Sequence, residues 1–420
     1  MQTVAHAKTN SYKPRVLHLL TNSFPHTQSG YSIRSHEVLK CQSDFARVRA
    51  VTRLGYPIII GKIIGARKDV IDGIEYTRLI PFRMPRLKSQ RLVKQALEVS
   101  KQIEDFKPNV LHTTTNYENA IVVDALSQAH KIPWIYEMRG ELEKTWVARQ
   151  KPGAQPAAQA SDYYRALRAR ELFFAQRANH VITLSKWQKT SLVERGVNES
   201  KITVVPNAID ESMLAKPYRS PMKARNMVGL PKEGYWVGSV SSLVDYEGFD
   251  VLLSAVANLR KHGHDVRCLL VGDGVVREAL IEQARQLTIQ DYVAFPGKIS
   301  YEDVYSWYQA LDCFVVPRKN TEVCKSVTPI KPFTAMALRR PVIASDLPAL
   351  REVCSDGRTG LLCEPENVNE LSKAILMMSR QESLCSSLCD SAYNYVTNYT
   401  WSYNGERYER IVKKLLRKEA

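Results

Sequence analysis

The chain has 420 residues, of which 44% are hydrophobic and 24% charged, and its net charge is +16. This length is about twice what one compact core usually supports, so two domains are expected. No run approaches the roughly 18 consecutive apolar residues of a membrane-spanning helix, and residues 1–14 lack the apolar stretch of a signal peptide. These features argue against a spanning protein and lead us to expect a cytoplasmic location.

The positive charge favours partners that are polyanions, such as nucleic acid, anionic lipid or phosphate-bearing substrates. In residues 83–94 Arg and Lys alternate with apolar side chains, a pattern suited to an anionic membrane surface and equally to a solvated helix face. No nucleic-acid motif is present, so no nucleic acid is expected. The eight cysteines form no CxxC pair, which favours reduced, packed thiols over a zinc site.

In chain order, the first half alternates short β-branched runs with helical patterns, as is typical of a parallel sheet. Strands are predicted at residues 16–20, 48–52, 110–112, 134–136, 180–184 and 202–205. Helices are predicted at about 30–41 and 162–178. Residues 214–234 contain three prolines and are predicted to form a linker.

The second half repeats this architecture. Its strands are predicted at residues 235–240, 266–271, 293–295, 313–316 and 342–344. Helices are predicted at 249–261 and at 400–418. The sequence therefore predicts a second α/β domain with a parallel sheet.

Three strand-to-helix loops carry candidate chemistry. Gly30 stands where a helix begins, and helix starts attract phosphate, although the loop is not a GxGxxG fingerprint. Gly248 stands at the helix entry after the strand at 235–240. After the strand at 313–316, Arg318 and Lys331 are placed to hold a diphosphate by charge-assisted hydrogen bonds. Each loop taken alone is also explained as an ordinary turn or a solvated basic segment.

The order and spacing of these motifs resemble family 4 glycosyltransferases of the GT-B fold. The resemblance covers about residues 15–415 and is carried by 29–31, 133–140, 182–185, 201–210, 237–238, 245–248, 271–274, 295–297, 312–317, 331–337, 341–346 and 356–362. It implies two Rossmann-like domains facing across a cleft. Residues 1–215 would bind the acceptor, 216–398 the nucleotide-sugar, and 399–420 would form a helix that returns to the first domain.

The resemblance also implies site residues. The catalytic candidates are Glu137, Arg139 and His112, for which a structural ion pair and a packed histidine are the alternatives. The donor-binding candidates, all placed in strand-to-helix loops, are Gly30, Ser242, Arg318, Ser326, Val327, Thr328, Lys331 and Thr334.

Several positions depart from the family pattern. Ser242 and Glu247 stand where the family usually has an Arg and a Lys beside the diphosphate. Thr334 stands where a glutamate usually grips the nucleotide ribose, and Ser326 lies eight residues before it. A threonine hydroxyl can still hydrogen-bond a ribose, but without charge.

The resemblance implies retaining transfer of a sugar from a UDP- or GDP-linked donor to a glycan or lipid-linked acceptor, in cell-surface polysaccharide or glycoconjugate synthesis. It implies no metal and no cofactor, and peripheral contact with the inner membrane face is a further hypothesis. Three alternatives stay open: a weak or inactive family member acting as a partner subunit, a sugar-nucleotide epimerase, and a nucleic-acid-binding protein suggested by charge alone.

Overall fold

The computed structural model describes residues 13–62, 66–151, 153–300 and 303–417, and the chain divides into two compact units. The first comprises Met1–Met138, Phe173–Ile182 and Gly405–Ala420, and the second Arg139–Leu172 and Thr183–Asn404. The domain boundaries placed after residues 215 and 398 stay predictions.

The first unit is an α/β layer around one sheet. Its strands are β1 (Arg15–Leu20), β2 (Arg47–Thr52), β3 (Lys68–Ile71), β4 (Ile74–Thr77), β5 (Val110–Thr114), β6 (Trp134–Met138) and β7 (His180–Thr183). Its first helices are α1 (Gly30–Ser43), α2 (Lys88–Phe106) and α3 (Tyr117–His130). The strands lie in the order β3-β4-β2-β1-β5-β6-β7. Strands β4, β2, β1, β5 and β6 pair in parallel, and β3 pairs antiparallel with β4.

The central strands of this sheet are apolar or small at nearly every position because both faces are covered. All five residues of β5 and all five of β6 are buried. The predicted strands at 16–20, 48–52, 110–112 and 134–136 are confirmed. The β3–β4 hairpin was not predicted, although Asp72-Gly73, both at positive φ, is a characteristic two-residue hairpin turn.

The second unit is also α/β. Its strands are β8 (Ile202–Val204), β9 (Tyr235–Val240), β10 (Val266–Val271), β11 (Val293–Gly297), β12 (Cys313–Val316), β13 (Val342–Ser345) and β14 (Leu361–Cys363). The helices that precede β9 in this part of the chain are α4 (Leu142–Ala148), α5 (Gln155–Ala160), α6 (Asp162–Arg177), α7 (Lys186–Glu194), α8 (Glu211–Leu214) and α9 (Pro221–Val228). The later helices are α10 (Phe249–Lys261), α11 (Arg277–Gln286), α12 (Val304–Ala310), α13 (Glu322–Ser326), α14 (Lys331–Ala337), α15 (Pro348–Arg351), α16 (Val368–Arg380) and α17 (Glu382–Val396). The last helix is α18 (Trp401–Arg417). Two helices cross the division, because α6 from Phe173 onward and α18 from Gly405 onward belong to the first unit.

The main sheet of the second unit has the order β11-β10-β9-β12-β13-β14, and every pairing in it is parallel. Alternate residues enter different cores: Phe314 and Val316 pack into one apolar cluster, and Cys313 and Val315 into another. Helices therefore cover both faces, as in Rossmann-like sheets. The five strands predicted for this half are confirmed, and β14 adds a sixth.

The linker predicted for residues 214–234 is wrong in its centre. Residues 221–228 form α9, whose first residue is a proline, a position that needs no backbone N–H. Ala224 is buried in the apolar cluster of the second unit, and Arg225 pairs with Asp312 at 2.8 Å. The prolines here mark a helix start and flanking turns.

All eight cysteines lie in described residues and are unpaired, and six of them are buried, which confirms the prediction of packed thiols. Among the helices that the structure describes, none is both long and apolar enough to cross a membrane.

Candidate active site

Three loops meet at the carboxyl ends of β9, β10 and β12, which are the usual ligand position in a parallel α/β sheet. Glycines allow the backbones of these loops to approach one another closely. A Cβ on Gly248 (φ +74°) would overlap the carbonyl oxygen of Pro317, and a Cβ on Gly272 (φ +133°) would overlap that of Ser241. The loops after neighbouring strands are thereby in backbone contact, and their side chains are held in fixed positions.

An ion cluster with a buried carboxylate, a buried guanidinium and a partly exposed ammonium group lies where these loops meet. Glu247, in the turn after β9, accepts hydrogen bonds at Oε1 from Lys331 Nζ and from Arg318 Nη2, both at 3.0 Å. Arg318 also donates to the carbonyl oxygen of Val327 at 2.7 Å, and Lys331 donates to the Ser241 hydroxyl. We call Glu247, Arg318, Lys331 and Ser241 the cation cluster.

The protonation states in the cation cluster follow from burial and charge. Burial by itself would raise the pKa of Glu247, but the Arg318 and Lys331 charges outweigh it and hold this pKa at about 2. Burial lowers the pKa of Lys331, against the attraction of Glu247. For Arg318, Glu247 raises the pKa in spite of burial. Two cations against one carboxylate leave the cluster with one net positive charge, which suits an anionic ligand.

The end of α13 and the loop that follows it carry three predicted donor-binding residues, Ser326, Val327 and Thr328, and most of their polar groups have partners within the second unit. The hydroxyl of Ser326 donates back to the Glu322 carbonyl oxygen at 3.1 Å. The carbonyl oxygen of Thr328 accepts from Asn207 Nδ2 at 2.8 Å, whereas the Thr328 Oγ1 atom is buried without a hydrogen-bond partner. The Val327 carbonyl oxygen is bound to Arg318, so Arg318 also positions this loop.

Thr334 lies on α14 and is buried beside Tyr308. Burial is the main influence on Tyr308 and raises the pKa of its hydroxyl. The Thr334 side chain that was assigned to a nucleotide ribose is therefore buried inside the second unit. Ser242, by contrast, has an exposed side chain next to the cation cluster.

Gly30, in the first unit, begins α1. Ser29 caps this helix by accepting from the Ser32 backbone N–H, while the Ser32 hydroxyl accepts from the Ser29 N–H at 2.8 Å. A Cβ added to Gly30 would meet no atom within 4 Å, and its φ is not in the left-handed region. Packing and backbone conformation therefore do not require glycine at this position.

Glu137 and His112, two predicted catalytic residues, share a hydrogen-bonded network with other residues of the first unit, and both are 0% exposed. Arg34 Nε donates to Glu137 Oε1 at 2.7 Å, and the Tyr408 hydroxyl donates to Oε2 at 3.1 Å. His112 Nε2 lies 3.1 Å from the same Oε2 atom. This geometry gives the pair a structural role, and their assignment to catalysis stays a prediction.

Arg139 follows β6 directly, belongs to the second unit and is buried. Sequence reasoning missed Ser241, Asn207 and the anchoring role of Glu247, which it treated only as a departure from the family pattern. The signal that could have found Glu247 is a carboxylate two residues before the helix α10, in a loop expected to bind an anion. Such a carboxylate is unfavourable there unless cations surround it.

Two α/β units with largely parallel sheets, one of which carries a cation cluster at its strand ends, define a Rossmann-like class of protein. Residues 29–208 match the glycosyl transferase 4-like domain, and residues 222–395 match the glycosyl transferases group 1 domain. The chain belongs to family 4 of the GT-B glycosyltransferases.

Solved structures of this class have the same fold. Sucrose-phosphate synthase from Thermosynechococcus elongatus superposes with a TM-score of 0.77 at 19% identity, covering 96% of this chain and 100% of that one. The Anabaena HepE complex with UDP-glucose gives 0.73 at 17% identity, covering 96% and 99%.

Curated relatives are similar over part of their length. The alpha-monoglucosyldiacylglycerol synthase of Streptococcus pneumoniae is 28% identical over 288 residues, which is 67% of this chain and 60% of the relative. The 2-deoxystreptamine glucosyltransferase of Streptomyces kanamyceticus is 28% identical over 207 residues, 49% and 52% of the two chains. The matched region thus spans between half and two thirds of these relatives.

Proposed function

We propose that this chain transfers a sugar from a nucleotide-sugar, UDP- or GDP-linked, to a glycan or lipid-linked acceptor in cell-surface polysaccharide or glycoconjugate synthesis, with retention of anomeric configuration. The observation that carries the proposal is the cation cluster, in which Arg318 and Lys331 are fixed by Glu247 at the carboxyl ends of β9 and β12. A UDP-sugar donor is further supported by the HepE complex with UDP-glucose.

The chemistry needs cations at the donor phosphates. When the bond between the anomeric carbon and the phosphate oxygen breaks, its electron pair stays on the diphosphate, and positive charge develops on the sugar. Preorganised cations lower the energy of that transition state more than mobile ones, since they need no reorganisation during the reaction. Lys331, attached to a helix start and bound to Glu247 and Ser241, is such a group.

The acceptor hydroxyl would form its new bond on the face that the diphosphate leaves and pass its proton to the departing phosphate oxygen, so no protein nucleophile is needed. The first unit would supply acceptor contacts, and Gly30 the close backbone approach to the donor phosphates. A lipid-linked acceptor is supported by the similarity to the pneumococcal synthase, whose name states a glucosylated diacylglycerol.

The test is a panel of UDP-, GDP-, ADP- and dTDP-sugars screened for protection against thermal unfolding. Protective donors are then incubated with acceptor mixtures, and the anomeric configuration of the product is read by NMR. We expect protection by one nucleotide class and an α-linked product from an α-linked donor. Absence of protection and of donor hydrolysis across the whole panel would refute the proposal in favour of a non-catalytic partner subunit.

The proposal includes no metal requirement. It predicts equal turnover in EDTA and in magnesium once the donor is saturating. Turnover that EDTA abolishes and magnesium restores would contradict this part of the proposal alone.

A further inference from the structure

The first unit carries a surface on which large apolar side chains and cations are exposed together. Its apolar members are the short 3-10 helix Ile58–Ile60, Phe82 and Leu87, and its cations are Lys62, Arg83 and Arg86. We call these residues the Phe82 face. Phe82 is fully exposed, and Ile59 and Leu87 are 46% and 60% exposed.

The segments of the Phe82 face lie against one another. A Cβ on Gly55 would overlap the Met84 methyl group and lie 2.9 Å from Ile59 Cγ2, so the 3-10 helix and the loop at 82–87 meet above Gly55. Arg91 Nε, on α2, donates to the carbonyl oxygen of Pro85 at 2.7 Å and fixes the same loop to the helix. The exposed 3-10 helix and the exposed loop at 82–87 are therefore neighbouring segments of the first unit.

Exposing these apolar side chains to water is energetically unfavourable, and the rest of the first unit does not cover them. Phe82 forgoes the stabilisation that burial of a large apolar side chain contributes. Isolated exposed apolar residues are ordinary, but a contiguous group marks an interaction surface. Within the described parts of the chain, Arg83 and Arg86 form no ion pair, whereas Lys88 pairs with Glu118 and Lys94 with Glu98.

We propose that the Phe82 face docks on an anionic lipid bilayer. Apolar side chains that project among unpaired cations match a membrane interface, where the former enter the acyl boundary and the latter neutralise headgroups. Nucleic acid would use the cations but leave Ile58–Ile60 and Phe82 without a partner. The surface differs from the sequence-predicted segment 83–94, because Lys88 and Lys94 are already paired and the 3-10 helix is added.

The experiment is co-sedimentation of the full chain with phosphatidylglycerol–phosphatidylcholine vesicles and with pure phosphatidylcholine vesicles, at low and raised salt. Each cation near an anionic surface contributes about fivefold in partition. We therefore expect binding only to the anionic vesicles, and a loss of more than about tenfold in the variant K62Q/R83Q/R86Q. Ile59→Ser with Phe82→Ser should weaken binding to the anionic vesicles to a similar degree, since it removes the inserted groups.

Two matched controls lie in the second unit. K261Q/K298Q/K373Q removes the same charge from exposed lysines, and Met377→Ser removes an exposed apolar group, so both should bind as the unchanged protein does. The proposal would be overturned by an equal loss of vesicle binding in these controls or by retained binding in the Phe82-face variants. It would also be overturned if the unchanged chain did not bind. So would a concentration-dependent dimer that Phe82→Ser abolishes, because the face would then be covered by a second copy.

Membrane docking goes beyond sugar transfer, and its test needs no turnover. Donor protection against thermal unfolding, measured on the same variants, should be unchanged, since none of these residues belongs to the cation cluster. A failure of docking with intact donor protection would leave the proposed transferase function standing.

Discussion

Glu247 Oε1 lies 3.0 Å from Lys331 Nζ, although 84 residues separate them in the chain. The carboxylate holds the ammonium group at the strand ends, where the proposed diphosphate would bind. Lys331→Ala should weaken protection by the nucleotide-sugar about 10–100-fold in apparent affinity, the effect of losing one charge-assisted hydrogen bond. The matched control is Lys325→Ala, a lysine on α13 that pairs with Glu322. Unaltered donor affinity in the Lys331 variant would remove this residue from the site.

The depressed pKa of Glu247 predicts a pH dependence of stability. Burial opposes ionisation, but Arg318 and Lys331 lower the pKa from 4.5 to about 2. A lowered folded-state pKa contributes stability that is complete above the unfolded value near 4.5 and is lost as pH falls toward 2. The difference in unfolding free energy between the unchanged chain and Glu247→Gln should therefore shrink by up to about 3 kcal/mol over that window. A difference that stays constant with pH, measured by urea unfolding, would contradict the charge assignment.

Gly248 is predicted to be intolerant of any side chain. Its positive φ disfavours an L-residue, and a Cβ would overlap the Pro317 carbonyl oxygen, which belongs to a backbone that cannot move freely. Gly248→Ala should cost more than about 3 kcal/mol of unfolding free energy. Gly263→Ala is the control: its φ is +81°, but no atom lies within 4 Å of the added Cβ, so about 1 kcal/mol is expected. Equal costs in the two variants would show that the loops are not in close contact.

Gly30 is predicted to matter for donor use and not for folding. Alanine has the higher helix propensity and meets no neighbour here, so Gly30→Ala should leave the unfolding free energy unchanged or raise it by up to about 1 kcal/mol. If a donor phosphate approaches this backbone, kcat/KM should fall at least about tenfold. Full activity in this variant would show that the position does not approach the donor.

Glu137 is predicted to support the first unit. Glu137→Gln leaves the buried Arg34 guanidinium without its counter-charge, which should cost about 3–5 kcal/mol in urea unfolding. The double variant Arg34→Met with Glu137→Met should regain much of that stability, since apolar groups of similar volume tolerate burial. A structural role predicts that activity returns with stability. Activity that stays absent in a stable double variant would support the catalytic assignment.

The alternation of apolar runs and helical patterns was sufficient to predict most strands of both sheets. Buried parallel strands such as β5 and β6 are mostly apolar or small, apart from His112 and Glu137, and this local pattern is visible without knowledge of the neighbours. The β3–β4 hairpin and α9 were missed because their signals are single turn residues, Asp72-Gly73 and Pro221, and not periodic patterns. A structural signal that rests on one or two residues is easily interpreted as part of a loop.

The candidate site also contains some features that the sequence could predict and others that it could not. Arg318 and Lys331 were identified from their positions after a strand and at a helix start, and the structure brings them together on Glu247. The sequence could not show that Thr334 is buried beside Tyr308, that Ser326 bonds back to its own helix, or that Glu137 accepts hydrogen bonds from Arg34 and Tyr408. Each of those partners is distant in sequence or depends on a side-chain rotamer.

By itself, the sequence determined that this protein has two α/β halves and belongs with the family 4 glycosyltransferases, because hydrophobic periodicity and motif order are properties of local chain segments. Only the tertiary structure decided which charges are paired, which hydroxyls already have partners, and that the exposed segments Ile58–Ile60 and 82–87 lie next to each other. Those properties depend on distances between segments far apart in the chain, and burial sets the strength of the resulting electrostatic interactions.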